Sequence, residues 1–200
     1  LALDLGAESG RAIIGMINDS KLSLNEVHRF SNGPVRLSDG LHWDVLRLWS
    51  EIKTGIASAV KNGTKLEGSG LDTWGVDFAL LDKNNSLFSN PFHYHDTRTD
   101  GMLDEAFKRM SRAEIFTNTG IQFMQINTLY QLLAMSVQKS PALDIAKTFV
   151  TIPDLFNYWL SGEITNEFTN ATTTQCFNPL KRDWATPVLD ALNIPSHLFK

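Results

Sequence analysis

The sequence predicts a mixed α/β domain with an antiparallel meander at its front. Three observations carry this. Three short apolar runs separated by turn clusters fill residues 1–30, apolar residues then recur at helical spacing between Asp44 and Val60, and the second half alternates helical stretches with isolated strand-like runs. The 200 residues are 42% hydrophobic and 20% charged, so the chain has the apolar content to bury a core and is not a disordered segment. No repeat recurs and no linker-like shift in composition divides it, so it reads as one compact domain.

Leu1–Leu5 is a mostly apolar run with one Asp, followed by Gly6-Ala7-Glu8-Ser9-Gly10. Arg11–Ile17 is apolar again, Asn18-Asp19-Ser20 is a turn cluster, and Leu22–Phe30 alternates well enough for a third strand. Leu46, Leu48, Trp49, Ile52, Ile56 and Val60 largely follow one helical face over Asp44–Val60. Leu71–Trp74 and Phe78–Leu81 are short strands, and Lys83-Asn84-Asn85-Ser86 is a hairpin-type turn into Leu87-Phe88. Asp104–Met110, Arg112–Phe116, Thr128–Val137 and Pro153–Leu160 are helical, the last with Gly162 just beyond its end. Phe149-Val150-Thr151-Ile152 is a strand, and the Thr/Asn-rich stretch Thr165–Thr174 reads as strand and loop.

Charge and cysteine content exclude several functions. With 18 basic against 22 acidic side chains the net charge is −4, and no Lys/Arg cluster offers a footprint for nucleic acid or an anionic membrane. One cysteine, Cys176, makes no internal disulfide and no multi-Cys zinc site, which favours a reducing compartment. No run approaches the roughly 18–20 apolar residues of a membrane span, and no charged start precedes an apolar core. A cytoplasmic location is expected, and the sequons at Asn62 and Asn170 are then chance matches. The chain starts at Leu1 inside a strand and stops at Lys200 just after a helix-like stretch, so both ends read as cut from a longer protein.

The chemistry lies in Asp4-Leu5-Gly6-Ala7-Glu8-Ser9-Gly10-Arg11. Gly6 and Gly10 permit a tight turn without Cβ atoms to block a ligand. Such a turn lines up backbone N–H groups into an anion-binding concavity. Ser9 adds a hydroxyl donor, and Arg11 a permanent charge with a donor fork suited to phosphate. Asp4, ending the first strand, can hold a hydrated Mg²⁺ near phosphates. Glu8 would repel phosphate through its side chain, so only its backbone N–H is assigned there. The same residues also suit an ordinary Gly-containing hairpin turn. Neither G-x-x-x-x-G-K-[ST] nor G-x-G-x-x-G occurs.

Asp-Leu-Gly-Ala-x-Ser-Gly-Arg closely resembles the first phosphate motif of the FGGY carbohydrate kinases. An ordered series of further segments supports the resemblance along the whole chain: Asp72-Thr73-Trp74-Gly75-Val76-Asp77-Phe78, His95-Asp96-Thr97-Arg98-Thr99-Asp100, Gly120-Ile121-Gln122-Phe123, Asn127–Leu132, Pro153-Asp154-Leu155, Tyr158-Trp159-Leu160-Ser161-Gly162 and Thr169-Asn170-Ala171-Thr172. The resemblance implies an actin-like, ribonuclease-H-like ATPase fold. It implies a kinase that uses ATP and Mg²⁺, and the branch most resembled phosphorylates L-rhamnulose at its 1-hydroxyl in rhamnose catabolism. The alternatives are a kinase for another ketose, such as fuculose or xylulose, and a non-catalytic sugar-binding domain of the same fold, which Glu8 beside the phosphate turn would favour.

By resemblance, Ala7, Glu8, Ser9, Gly10 and Arg11 meet the ATP phosphates and Gly75 contacts the sugar. Trp74 beside it offers an apolar face to the sugar or packs in the core. Asp77, two residues on and read as lying on the same strand face as Gly75, accepts from a sugar hydroxyl or caps a turn. In an extended segment Asp96 and Arg98 point the same way and bracket hydroxyls, or they pair to order a loop. The branch most resembled often carries Arg at the position of His95, which removes the basis for a role there. Asn127 and Gln131 share a helical face that is either a polar wall of the sugar site or a surface face. The family's catalytic base is an Asp after a His. No residue here matches it, so the base is expected beyond Lys200. Residues 1–200 therefore read as the N-terminal domain, with a C-terminal domain as partner supplying the base, the adenine-binding half and the second phosphate motif. These 200 residues alone are expected to show no kinase activity.

Overall fold

A computed structural model describes residues 1–199. Lys200, the residue beyond which the catalytic base is expected, lies outside the described residues. β1 (Ala2–Leu5), β2 (Ser9–Asn18) and β3 (Lys21–Ser31) form the expected meander. Leu5 pairs with Gly10 and Asp4 with Arg11, and the β2–β3 ladder slips by one residue between Ala12 and Ile13. Gly10 is required by packing, because a Cβ there would stand 2.1 Å from Cζ of Phe30. A hairpin that the sequence did not signal follows, made of β4 (Pro34–Leu37) and β5 (Gly40–Trp43).

Asp44 opens α1 (Val45–Val60) by accepting from the Arg47 amide, and the helix buries Val45, Leu48, Ile52, Gly55 and Ala59. Leu48 and Ile52 are fully buried, each contributing about 2 kcal/mol of apolar transfer. Gly55 brings the helix onto the sheet, since a Cβ would meet that of Ala12 at 2.8 Å. The chain returns in β6 (Gly70–Thr73), parallel to β1, giving the strand order β3-β2-β1-β6.

β7 (Phe78–Leu81) is buried along its whole length and divides two cores. Ala79 and Leu81 face the cluster of Leu3, Leu5, Leu48 and Ile52, while Phe78 and Leu80 face a second cluster built around Leu129, Leu132 and Phe149. After β7 come a 3₁₀ turn over Thr97–Thr99, α2 (Met102–Arg109), α3 (Arg112–Thr119), α4 (Thr128–Val137) and α5 (Pro141–Ile145). Ser111 and Glu114 close a reciprocal capping box on α3. β8 (Thr148–Thr151) pairs antiparallel with β7 and runs directly into α6 (Ile152–Ser161).

The stretch Thr165–Thr174, expected as strand and loop, contains α7 (Phe168–Thr173). The Glu167 carboxylate caps it, accepting from the amides of Thr169 and Asn170. That capping geometry outweighs the poor helix propensity of threonine and asparagine. β9 (Phe177–Asn178), β10 (Asp183–Trp184) and α8 (Thr186–Ala191) complete the second core. Among the described residues, no helix is long and apolar enough to cross a membrane.

Candidate functional site

The β1–β2 turn is held from beneath by Asn32. Its amide nitrogen donates to the Glu8 carbonyl at 2.8 Å, its Nδ2 donates to the Gly6 carbonyl at 2.8 Å, and its Oδ1 accepts from the Gly33 amide at 2.9 Å. Gly6 N–H donates to the Ser9 carbonyl at 2.9 Å, while among the described residues no acceptor stands against the N–H groups of Ala7 and Glu8. The turn therefore presents two free backbone donors just before Ser9, whose residue is partly exposed, a donor set that suits an anionic oxygen. The Glu8 side chain is exposed.

Asp4 and Arg11, expected at metal and phosphate, are paired with each other. Arg11 Nε lies 3.2 Å from Asp4 Oδ2, with the side chains 34% and 46% exposed. The Arg11 Nε–H is not aimed for a hydrogen bond, so the guanidinium is near its counter-charge without being locked to it. The pairing follows from strand register. One half-exposed carboxylate suits a Mg²⁺ that keeps most of its waters. No group of three His, Cys, Asp or Glu side chains able to hold a metal occurs among the described residues.

The second half of the site is built on Asp77, which is 2% exposed. Its Oδ2 accepts from Trp43 Nε1 at 2.6 Å, Trp74 Nε1 at 3.0 Å and the Tyr94 amide at 3.3 Å, and its Oδ1 accepts from Gln131 Nε2 at 2.8 Å. Burial pushes its carboxyl up to about 6, against the pull of the Trp43, Gln131 and Trp74 hydrogen bonds and the charge of Arg98. Trp74 stacks on the fully buried Trp43 with ring centroids 3.8 Å apart. His93 also packs on Trp43, at 4.2 Å, and burial holds its imidazole neutral, with a pKa of about 4.

Two expected geometries are corrected here. Gly75 and Asp77 do not share a strand face, because β6 ends at Thr73 and the chain makes a γ-turn. Asp77 N–H donates to the Gly75 carbonyl at 2.9 Å, with Val76 between them at φ +66°. That conformation costs a β-branched residue about 1–3 kcal/mol. The Val76 carbonyl is held in place by Thr128 Oγ1 at 2.6 Å and Gln131 Nε2 at 3.2 Å. Gly75 is exposed, and a Cβ there would meet only Thr173 Oγ1 at 3.9 Å, whereas Asp77 turns inward.

Nor do Asp96 and Arg98 lie in an extended segment. Asp96 caps the 3₁₀ turn, accepting from the Arg98 amide at 3.0 Å and the Leu41 amide at 2.7 Å. The Arg98 side chain is 7% exposed, donates to Gln131 Oε1 at 2.6 Å and stacks over Phe92 at 3.9 Å. Burial lowers its pKa to about 10, opposed by Asp96 and Asp77. Arg98 therefore reaches Asp77 through Gln131 and does not point outward. Asn127 and Gln131 are both buried, so they form neither a surface face nor an exposed wall.

The two halves adjoin. β1 and β6 run parallel with Leu5 opposite Thr73, so the Gly6–Gly10 turn and the Trp74–Asp77 turn leave neighbouring strand ends. Tyr94 and Trp74 are partly exposed there, with His95 open to solvent. Sequence reasoning missed Trp43, Tyr94 and Asn32. A signal for Trp43 did exist: Asp77 opens the otherwise apolar run Asp77–Leu81, and a buried indole N–H needs an acceptor.

The model of the FGGY family of carbohydrate kinases, N-terminal domain, matches residues 1–200. A rhamnulokinase from Oceanobacillus iheyensis is 43% identical over 199 residues, covering 100% of this chain and 42% of its own. One from Halalkalibacterium halodurans is 41% identical over 200 residues, covering 100% and 43%. Among solved structures, a xylulose kinase from Lactobacillus acidophilus superposes with a TM-score of 0.84 at 17% identity, over 100% of this chain and 41% of its own. A glycerol kinase from Plasmodium falciparum superposes at 0.76 and 16% identity, over 98% and 41%. At such identities the superpositions speak for the fold alone, a mixed α/β architecture shared with sugar kinases. The chain spans about two-fifths of the length of the curated relatives it matches.

Proposed function

The chain belongs to the FGGY family of carbohydrate kinases, and from that premise we propose that the whole protein transfers the γ-phosphate of ATP to the 1-hydroxyl of L-rhamnulose. One observation carries the reading: a turn with two free amide donors leaves the strand end next to that of a partly exposed aromatic face and an exposed glycine. The kinship with proteins named rhamnulokinase supports the choice of sugar.

In this reading the Ala7 and Glu8 amides and the Ser9 hydroxyl hold phosphate oxygens, with Gly10 keeping the turn tight. Arg11 adds positive charge, and Asp4 holds Mg²⁺ through water. The ion, when bound, neutralises charge developing on the transferred phosphoryl group. Glu8 directs its carboxylate to solvent. Gly75 gives the sugar access to the main chain, and Trp74 and Tyr94 offer it apolar faces. Asp77, Asp96 and Arg98 act from behind, through Gln131 and the two indoles.

Residues 1–200 then form one wall of a cleft. A C-terminal domain beyond Lys200 supplies the other wall and the base that orients the attacking hydroxyl, and closing the cleft excludes water. The protein works in the cytoplasm. The test is a coupled ADP-release assay of the full-length protein with L-rhamnulose, L-fuculose and D-xylulose. The highest kcat/KM is expected for L-rhamnulose, and a higher value for another ketose rejects it as the natural substrate.

A further inference from the structure

Asp77 is the point at which three separate segments of the site are tied together. Trp43 ends β5, Trp74 leads the γ-turn, Tyr94 precedes the 3₁₀ turn, and all three donate to a single carboxylate oxygen. Gln131 on α4 donates to the other oxygen. Each of these partners of the carboxylate is an N–H donor. A proton added to it brings a further donor into this ring and weakens acceptance from the indoles, since charge-assisted hydrogen bonds are about twice as strong as neutral ones.

The charged and titratable groups around this ring are few. Arg98 lies behind Gln131, with Asp96 Oδ1 4.0 Å from its Nε. His93 packs on Trp43 and Tyr94, His95 stacks on His93 at 5.5 Å, and the charges of Asp77 and Glu8 both act on the Tyr94 phenol. His93 is neutral across the physiological range and so does not compete with Asp77 as the titrating group.

Resting on the kinase reading above, we propose that Asp77 is a positioning residue for the sugar: its ionised carboxylate fixes Trp74 and Tyr94 against the ketose, and ketose affinity falls as it takes up a proton. Burial places that protonation at about pH 6. The sign separates this from unfolding. A carboxyl raised by burial favours its protonated form in the folded state, so acidification from pH 7 to 5 adds stability through Asp77 while it loosens the aromatic face. Affinity is lost and the fold is kept.

The experiment measures the Kd of L-rhamnulose for the full-length protein by tryptophan fluorescence from pH 7.5 to 5.0, with near-UV circular dichroism and urea midpoints alongside. In the wild type, Kd rises about tenfold over this range, as one proton with a pKa near 6 requires, and the tryptophan signal titrates with it. In Asp77→Asn, Kd at pH 7.5 is already at the wild-type acid level and stays flat. Trp74→Phe, which keeps a ring and loses the N–H, weakens binding about threefold and moves the titration midpoint upward, because one of the hydrogen bonds that favour the ionised carboxylate is gone. A wild-type Kd independent of pH, or an Asp77→Asn protein that binds like the wild type, overturns the positioning role while phosphorylation of L-rhamnulose stands. Absence of phosphorylation of any ketose at pH 7.5 overturns the kinase reading and this role with it.

Discussion

Asp4 and Arg11 face each other across β1 and β2, with Arg11 Nε 3.2 Å from Asp4 Oδ2 at the mouth of the Gly6–Gly10 turn. The two charges offset each other without a hydrogen bond to lock them, so in the proposed reading the guanidinium stays free to meet phosphate while it tempers the carboxylate's repulsion. Arg11→Ala should raise the KM for ATP about tenfold, the equivalent of one charge-assisted contact of about 1.5 kcal/mol. The KM for the sugar should stay within about twofold. Steady-state kinetics with each substrate varied in turn checks this, and an unchanged KM for ATP makes the turn merely structural.

Asn32 is the support beneath that turn. Asn32→Ala removes the bond to the Gly6 carbonyl and frees the Gly33 amide. A loss of about 1–2 kcal/mol in urea unfolding is expected, together with a higher KM for ATP, because the Ala7 and Glu8 amides lose their fixed direction.

Gly10 is set by Phe30. Gly10→Ala drives a methyl into the Phe30 ring, 2.1 Å from Cζ. An overpacking cost of about 1–3 kcal/mol is expected. Combining it with Phe30→Leu, which removes the clashing atoms, should leave the double variant more stable than the sum of the two single losses, as a double-mutant cycle in urea will read.

Val76 holds a left-handed conformation that suits glycine. Val76→Gly should raise the unfolding free energy by about 1 kcal/mol, the low end of the strain released. A drop in the urea midpoint would mean that side-chain packing outweighs that strain.

Cys176 is fully buried, and burial pushes its thiol up to about 12. In the native protein it should resist a thiol-specific disulfide reagent at pH 8, and it should react fully once urea unfolds the chain.

The meander, α1 and α6 were legible from their periods, alternation in the strands and one apolar face in the helices, while β7 and α4 were legible as apolar runs, β7 being buried throughout and α4 over 128–135. The β4–β5 hairpin and α7 were not. Pro34–Leu37 is exposed throughout, so no apolar pattern marks it, and α7 depends on the Glu167 cap more than on its own residues. The tight turn between β1 and β2 could be read from Gly6 and Gly10. The residues proposed for the sugar side could be read only as a set of names. Asp77, Asp96 and Arg98 were recognised as belonging together, but their directions were read from an extended chain. The γ-turn at Val76 and the 3₁₀ turn after Asp96 reverse those directions, and both turns are fixed by partners 52–55 residues away, as for Val76 with Thr128 and Gln131 and for Leu41 with Asp96. Spacing along the sequence carries no record of such partners.

The central claim is that one wall of the cleft holds phosphate at the Ala7–Arg11 turn and sugar at the Trp74–Tyr94 face. Hydrogen–deuterium exchange on the full-length protein tests it most directly, with a non-hydrolysable ATP analogue and L-rhamnulose added separately. The account predicts that the nucleotide slows exchange at the Ala7 and Glu8 amides and that the sugar slows it across Gly75–Asp77 and Tyr94–Asp96. Unchanged exchange at the turn with saturating nucleotide, or protection by the sugar only elsewhere in the protein, would contradict it.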